Sequence, residues 1–221
     1  MSLSLVGIYG GTFDPVHYGH LRIAEELNEA IGFHELRFLP SGSPCLRNAP
    51  GASRIHRVDM LQAAIQDNNK FILDAREINR ADESYSVISL RELRHEIGEN
   101  SALCFIMGAD VFLKLAEWYC WHEIFELCHI VIVDRPGYLS IKNNYNLSPE
   151  LKENFFSRQV GEVNELKNLA SGLIYVAATT LLDISATTIR AKILAGKSTR
   201  YLMPDVVLEY IKSNHLYSGI E

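Results

Sequence analysis

Two histidines three residues apart, His17 and His20, follow paired glycines in the stretch IYGGTFDPVHYGHL, Ile8 to Leu21. If both stand in the first turn of a helix, their Cβ atoms lie about 5–6 Å apart on one face. The two imidazoles can then address one polyphosphate. A neighbouring anion favours their protonated forms. Two such rings can share the charge that develops on a transferring phosphoryl group and on its leaving pyrophosphate. Gly10 and Gly11 lack Cβ atoms and so let a phosphate or ribose approach the backbone. The helix start beyond them offers open N–H groups and a positive dipole end. Thr12 adds a hydroxyl, and Gly19 keeps the surface between the histidines clear. An H-x-x-H pair alone is more often ordinary surface or core histidine, and zinc is a further reading. No third ligand is evident, and the helix start favours anions. The specific signal is the combination of strand, GG, T, F-D-P and H-x-G-H.

Such residues need a strand, a turn and a helix to hold them, and the chain offers this pattern repeatedly. Apolar runs predict strands at Leu3–Tyr9, Glu35–Leu39, Phe71–Ala75, Ala102–Met107, Ile130–Val133 and Leu173–Ala177. Amphipathic segments predict helices at His20–Ile31, Arg54–Gln66, Tyr85–Glu96, Val111–Leu115, His122–Leu127, Ser185–Leu194 and Asp205–Ser213. ALCFIMG and HIVIVD are nearly continuous in apolar residues, as strands covered on both faces are. Strand and helix alternate, which implies an α/β domain with a mostly parallel sheet. We read residues 1–221 as one domain. Ser41–Ala52 reads as a surface loop. Residues 138–171 are polar and read as a loose peripheral insertion or helix pair. Residues 185–217 form a C-terminal helical part, in which Pro204 and Asp205 suit a helix start.

Composition excludes several classes. Of 221 residues, 48% are hydrophobic and 22% charged, and the net charge is −6. That is a globular composition, and the acidic balance argues against a broad nucleic-acid face. No apolar window reaches the ~18 residues of a membrane span, and the N-terminus has no secretory pattern. The cysteines, Cys45, Cys104, Cys120 and Cys128, show no C-x-x-C spacing, so zinc-ribbon and thioredoxin readings lack support. Cys104 reads as a buried small hydrophobe. The expectation is a reduced, cytoplasmic protein that binds neither nucleic acid nor membrane.

GGTFDPVHYGH resembles the nucleotide-binding motif of the H-x-G-H nucleotidyltransferases, and more narrowly that of bacterial nicotinate-nucleotide adenylyltransferases. That family joins nicotinate mononucleotide to the adenylyl group of ATP and releases pyrophosphate. The resemblance implies a Rossmann-like, doubly wound sheet with helices on both faces. It places Gly10, Gly11, Thr12 and Phe13 at ATP. ISATTIR, Ile184 to Arg190, resembles the second superfamily motif. There Ser185 is a plausible N-cap, Ile184, Ser185 and Thr187 meet ATP, and Arg190 can pair with its phosphates. Taken alone, that stretch reads rather as an ordinary capped helix with a solvent-facing Arg, and the first motif turns the reading to a phosphate site. FIMGADVFLKLAEWY places Gly108 and Asp110 at adenosine and ribose and Trp118 on the pyridine ring, with Tyr119 as a backbone contact. The plainer readings are a helix N-cap for Asp110 and core packing for Trp118. ESYSV places the backbone of Tyr85 and Ser86 at the pyridine carboxylate. DRPGY offers Arg135 to a phosphate.

One departure stands out. After FLPSGSP the family continues with Pro-His-Lys or Pro-His-Arg, whereas this chain has Cys45, Leu46 and Arg47. The charge at Arg47 is kept and the histidine is replaced by Leu46. Arg57, downstream, either orients this loop or is a helix-surface charge. The implied catalytic set is His17, His20 and Arg190. Mg²⁺ is expected to arrive with ATP, since no carboxylate cluster suggests a protein-built cage. A preference for nicotinamide mononucleotide is a close rival. Pantetheine-phosphate adenylyltransferase is a more distant one, and a non-catalytic nucleotide sensor is the reading from another class. Oligomeric state is not legible.

Overall fold

The apolar runs pair into one sheet. The computed structural model describes residues 2–42, 50–80, 84–133 and 147–219. Its strands are β1 (Ser4–Gly11), β2 (Glu35–Pro40), β3 (Phe71–Leu73), β4 (Ser101–Gly108), β5 (His129–Val133), β6 (Gln159–Val160) and β7 (Ile174–Ala177). They lie in the order β3-β2-β1-β4-β5-β7-β6, and every pairing is parallel. The helices are α1 (Tyr18–Ile31), α2 (Arg54–Ile65), α3 (Arg76–Asn79), α4 (Ser86–Ile97), α5 (Ala109–Phe112), α6 (Trp121–Leu127), α7 (Pro149–Arg158), α8 (Ala186–Leu194) and α9 (Asp205–Ser213). Leu115–Glu117 and Val163–Lys167 form 3₁₀ turns.

Side chains alternate across a strand, and here both faces are covered. Leu5 and Tyr9 of β1, with Cys104 and Ile106 of β4, pack against Leu27, Ile31, Met60, Leu61 and Val207. Val6, Ile8, Leu103 and Phe105 pack on the other side against Leu90, Leu93, Ile124, Phe125 and Phe155. That is why the two central strands lack a polar face. The chain runs from β1 outward to β2 in one direction and from β4 to β5 in the other. The carboxyl ends of β1 and β4 therefore flank the switch point, where open α/β sheets hold ligands.

Polar groups pin the opposite edge. Arg94 is buried and donates to the carbonyls of Leu127, Gly98, Ser101 and Ala170 at 2.7–3.0 Å. His129 Nδ1 accepts the Leu173 N–H at 3.0 Å. Its Nε2 therefore carries the proton and donates to the carbonyls of Leu169 and Leu166 at 2.9 and 3.1 Å. Burial pushes this imidazole below its ordinary value.

Residues 138–146 lie outside the described part, but the rest of the expected peripheral insertion is built into the core. Leu151 and Phe155, four apart on α7, are buried, as is Leu166, and β6 closes the sheet edge. The polar faces of α7 and the 3₁₀ turn hide so few apolar anchors from a period count. The helix expected at Val111–Leu115 is instead a short α5 followed by a 3₁₀ turn. α1 begins at Tyr18, so His17 is the residue before its first turn rather than part of it.

Candidate active site

The H-x-G-H segment forms a tight junction after β1. Phe13 adopts a left-handed φ of 49°, and a cis peptide joins Asp14 to Pro15. The Phe13 ring is buried and packs edge-on against His20, with centroids 5.0 Å apart. Any contact of Phe13 with a nucleotide therefore falls to its backbone. Beyond it, His17 has extended backbone angles, φ −150° and ψ 170°, and caps α1. Its ring stacks on that of His20 with centroids 3.7 Å apart and planes at 22°. The two imidazoles thus share one place, though through a capping residue and a first-turn residue rather than two helical positions.

Gly19 is what permits this stacking. A Cβ there would lie 3.0 Å from the His17 ring and 3.3 Å from the carbonyl of Ile184. The same glycine therefore joins the two sequence motifs. Gly10 and Gly11 also make room for neighbouring rings. The space freed by their missing side chains is taken by Phe105, at 3.0 Å, and by Phe13, at 2.8 Å.

Asp14, which the sequence reading passed over, organises the second motif. It is buried and accepts from the Gly51 N–H at 2.7 Å, the Ala52 N–H at 3.1 Å and the Tyr217 hydroxyl at 2.7 Å. Arg190 donates to the Asp14 carbonyl at 2.7 Å and lies 3.5 Å from its carboxylate. The Tyr217 phenol is pushed up by burial and by Asp14. Ser185 caps α8 as expected, accepting from the Thr188 N–H at 3.1 Å, and it and Thr187 are exposed. Arg57 is not a surface charge. It is fully buried and donates to the carbonyls of Thr12, at 2.8 Å, and Gly42, at 3.2 Å. It therefore ties the glycine-rich turn to the start of the loop that follows β2.

A pocket opens at the switch point. Gly10, Gly11 and Thr12 from β1 and its turn, and Phe105 and Gly108 from β4, form its floor. Tyr85, Ser86, Trp118 and Tyr119 form its outer wall, and Glu77 lines it as well. Trp118 is half-buried and Tyr119 exposed, so neither is ordinary core. α4 starts at Ser86 with no side-chain cap, which leaves the positive end of its dipole to whatever enters. Asp110 stands in the first turn of α5 and is not among the lining residues. Gly108, not Asp110, occupies the N-cap position there. Arg47 and Arg135, with Cys45 and Leu46, lie outside the described residues. Among the described residues, no three His, Cys, Asp or Glu side chains are grouped to hold a metal. Nor is any helix among them long and apolar enough to cross a membrane.

This geometry meets known proteins over nearly its whole length. The family model for cytidylyltransferase-like proteins matches residues 8–192. A probable nicotinate-nucleotide adenylyltransferase of Methylococcus capsulatus is 43% identical over 215 residues, covering 97% of this chain and 100% of that one. The chain belongs to the nicotinate-nucleotide adenylyltransferase family. Another such relative, from Dechloromonas aromatica, is 42% identical over 96% of this chain and 97% of its own. Family members also supply a likeness of fold. A Plasmodium falciparum nicotinic acid mononucleotide adenylyltransferase, solved in complex with NaAD, superposes with a TM-score of 0.72. It is 16% identical, and the match covers 98% of each chain.

Proposed function

We propose that this enzyme transfers the adenylyl group of ATP to nicotinate mononucleotide, forming nicotinate adenine dinucleotide and pyrophosphate in NAD biosynthesis. The observation that carries this reading is the stacked His17–His20 pair at the switch point, beside a pocket walled by Tyr85, Ser86 and Trp118. The 5′-phosphate of the mononucleotide attacks the α-phosphorus of ATP. One P–O bond forms there, and the bond to the departing pyrophosphate breaks. The attacking oxygen is already anionic, so no enzyme nucleophile is required. The protein acts by positioning and by meeting charge. His17 and His20 face the α-phosphate region, and Arg190, steadied by Asp14, meets the remaining phosphates. The uncapped start of α4 offers donors to the pyridine carboxylate, which needs only donors, whereas an amide also needs an acceptor. Mg²⁺ would come with the triphosphate; among the described residues no three His, Cys, Asp or Glu side chains are grouped to hold it. It would supply charge neutralisation on the phosphates. We place the enzyme in the cytoplasm.

The test is pyrophosphate release with ATP and, separately, nicotinate mononucleotide, nicotinamide mononucleotide or phosphopantetheine. Release is expected to be fastest with nicotinate mononucleotide. Faster turnover of either other acceptor overturns the substrate, and no release with any of the three makes the protein a nucleotide sensor.

A further inference from the structure

The pocket contains one acid that none of the motifs above includes. Glu77 sits on α3, the short helix after β3, and its residue is only 4% exposed. Its Oε1 accepts from the Ser89 hydroxyl of α4 at 2.8 Å. The Gly42 N–H and the Ser84 hydroxyl also hydrogen-bond to this carboxylate. Its nearest cation, Arg80, is engaged elsewhere, donating to Glu92 at 2.7 Å and to the Ser89 hydroxyl at 3.2 Å. A buried carboxyl held by neutral donors is costly, and burial raises it above the ordinary carboxylate value. Surface packing alone does not require an acid here.

What Glu77 joins explains its presence. Gly42 belongs to the segment leaving β2, Ser84 directly precedes Tyr85, and Ser89 lies one turn into α4. The three converge tightly. A Cβ on Gly42 would fall 2.2 Å from the Glu77 carbonyl and 2.7 Å from the Ser84 hydroxyl oxygen. One carboxylate thus sets where the start of α4 stands relative to the end of β2, across the mouth of the pocket. We propose that Glu77 is a positioning residue for the acceptor: it holds the Tyr85–Ser86 backbone where that backbone receives the pyridine mononucleotide.

This rests on the reaction proposed above and deepens it. The expected effect is selective, because the groups that Glu77 holds, those of Gly42, Ser84 and Ser89, frame the Tyr85–Ser86 wall. Glu77→Gln keeps the shape but turns one acceptor oxygen into a donor facing donors. Glu77→Ala removes the anchor. Calorimetric titration with nicotinate mononucleotide alone and with ATP alone, beside steady-state kinetics, reads the effect. Glu77→Gln should weaken mononucleotide binding and raise its KM about tenfold, with ATP binding and kcat within twofold to threefold of wild type. Ser89→Ala, which removes one donor and keeps the acid, should give the same selective loss at smaller size, and it serves if the Glu77 variants fold poorly. Unchanged mononucleotide affinity in both Glu77→Gln and Ser89→Ala overturns the proposal. So does an equal loss for mononucleotide and ATP, which is the mark of a merely structural role. Wild-type turnover in the same series separates the two readings. No pyrophosphate release there overturns the reaction, while unchanged affinity in the variants overturns the role of Glu77.

Discussion

Asp14, in the turn after β1, and Glu77, in the wall of the pocket, are two carboxylates buried to nearly the same depth, at 3% and 4% exposure. Each gathers chain segments that are distant in sequence. Burial therefore does not distinguish them; their partners do. Asp14 has a guanidinium beside it, Arg190, as well as two backbone N–H groups and a phenol. Among the described residues, Glu77 accepts from two hydroxyls and a backbone N–H, with Arg80 acting on it through space, and burial raises its carboxyl. On the reaction proposed above, the phosphates need cations, so an acid beside Arg190 is charge-balanced and also steadies that cation. On the same proposal the pyridine mononucleotide is recognised rather than met with moving charge, so the acid there has only a wall to set in place.

The comparison can be broken first at the charge-bearing end. His20→Ala should lower kcat about 10²–10³-fold with ATP and Mg²⁺ saturating, the scale of losing one preorganised donor to a developing charge. A fall of less than tenfold in steady-state assays would remove His20 from that role. Next, Asp14→Asn should cut kcat about tenfold while leaving the KM for nicotinate mononucleotide within twofold, because it removes the carboxylate charge 3.5 Å from Arg190 and leaves the pocket wall alone. A change in KM alone would mean that the two acids do one job. Tyr217→Phe is smaller. It removes one hydrogen bond to Asp14, worth about 1 kcal/mol, and denaturant melts should show a loss of that order.

The pyridine end is sharpened by pH. A carboxyl raised by folding contributes stability that is complete below its ordinary value of 4.5 and declines as pH rises through its folded value. Glu77→Gln lacks that decline, so its melting temperature should gain on wild type as pH goes from 4 upward. His129 gives the opposite sign as a control away from the site. Its imidazole is lowered from an ordinary 6.5, so its contribution is present above that value and is lost as pH falls through it. His129→Gln should flatten the acid side of the melting-temperature profile, whatever its loss of stability at pH 8.

Much of this was legible in the residues. The sheet follows from runs such as ALCFIMG, which have no polar face because helices cover both sides of β4. The Ser185 cap and the pairing of His17 with His20 are local, within three residues, and short spacing is what a sequence motif records. Arg57 was ambiguous because a helix charge looks the same buried or exposed until its partners, Thr12 and Gly42, are in place. Glu77, Asp14 and Tyr217 were passed over for the same reason. Tyr217 meets Asp14 across 203 positions and Arg190 meets it across 176, and no periodicity spans such distances. Leu151 and Phe155 escaped as core because one turn of helix offers two apolar residues among polar ones.

By itself the sequence determined the α/β order, the glycine-rich turn after the first strand and the family, since each rests on neighbours along the chain whose side chains meet whatever the rest does. Only the tertiary structure decided how the histidine rings stack, which atoms the glycines make room for, and which buried acids hold the two ends of the site. Those depend on hydrogen bonds between segments that the fold alone brings within 3 Å of each other, and burial gives each such bond a cost if it is left unmade.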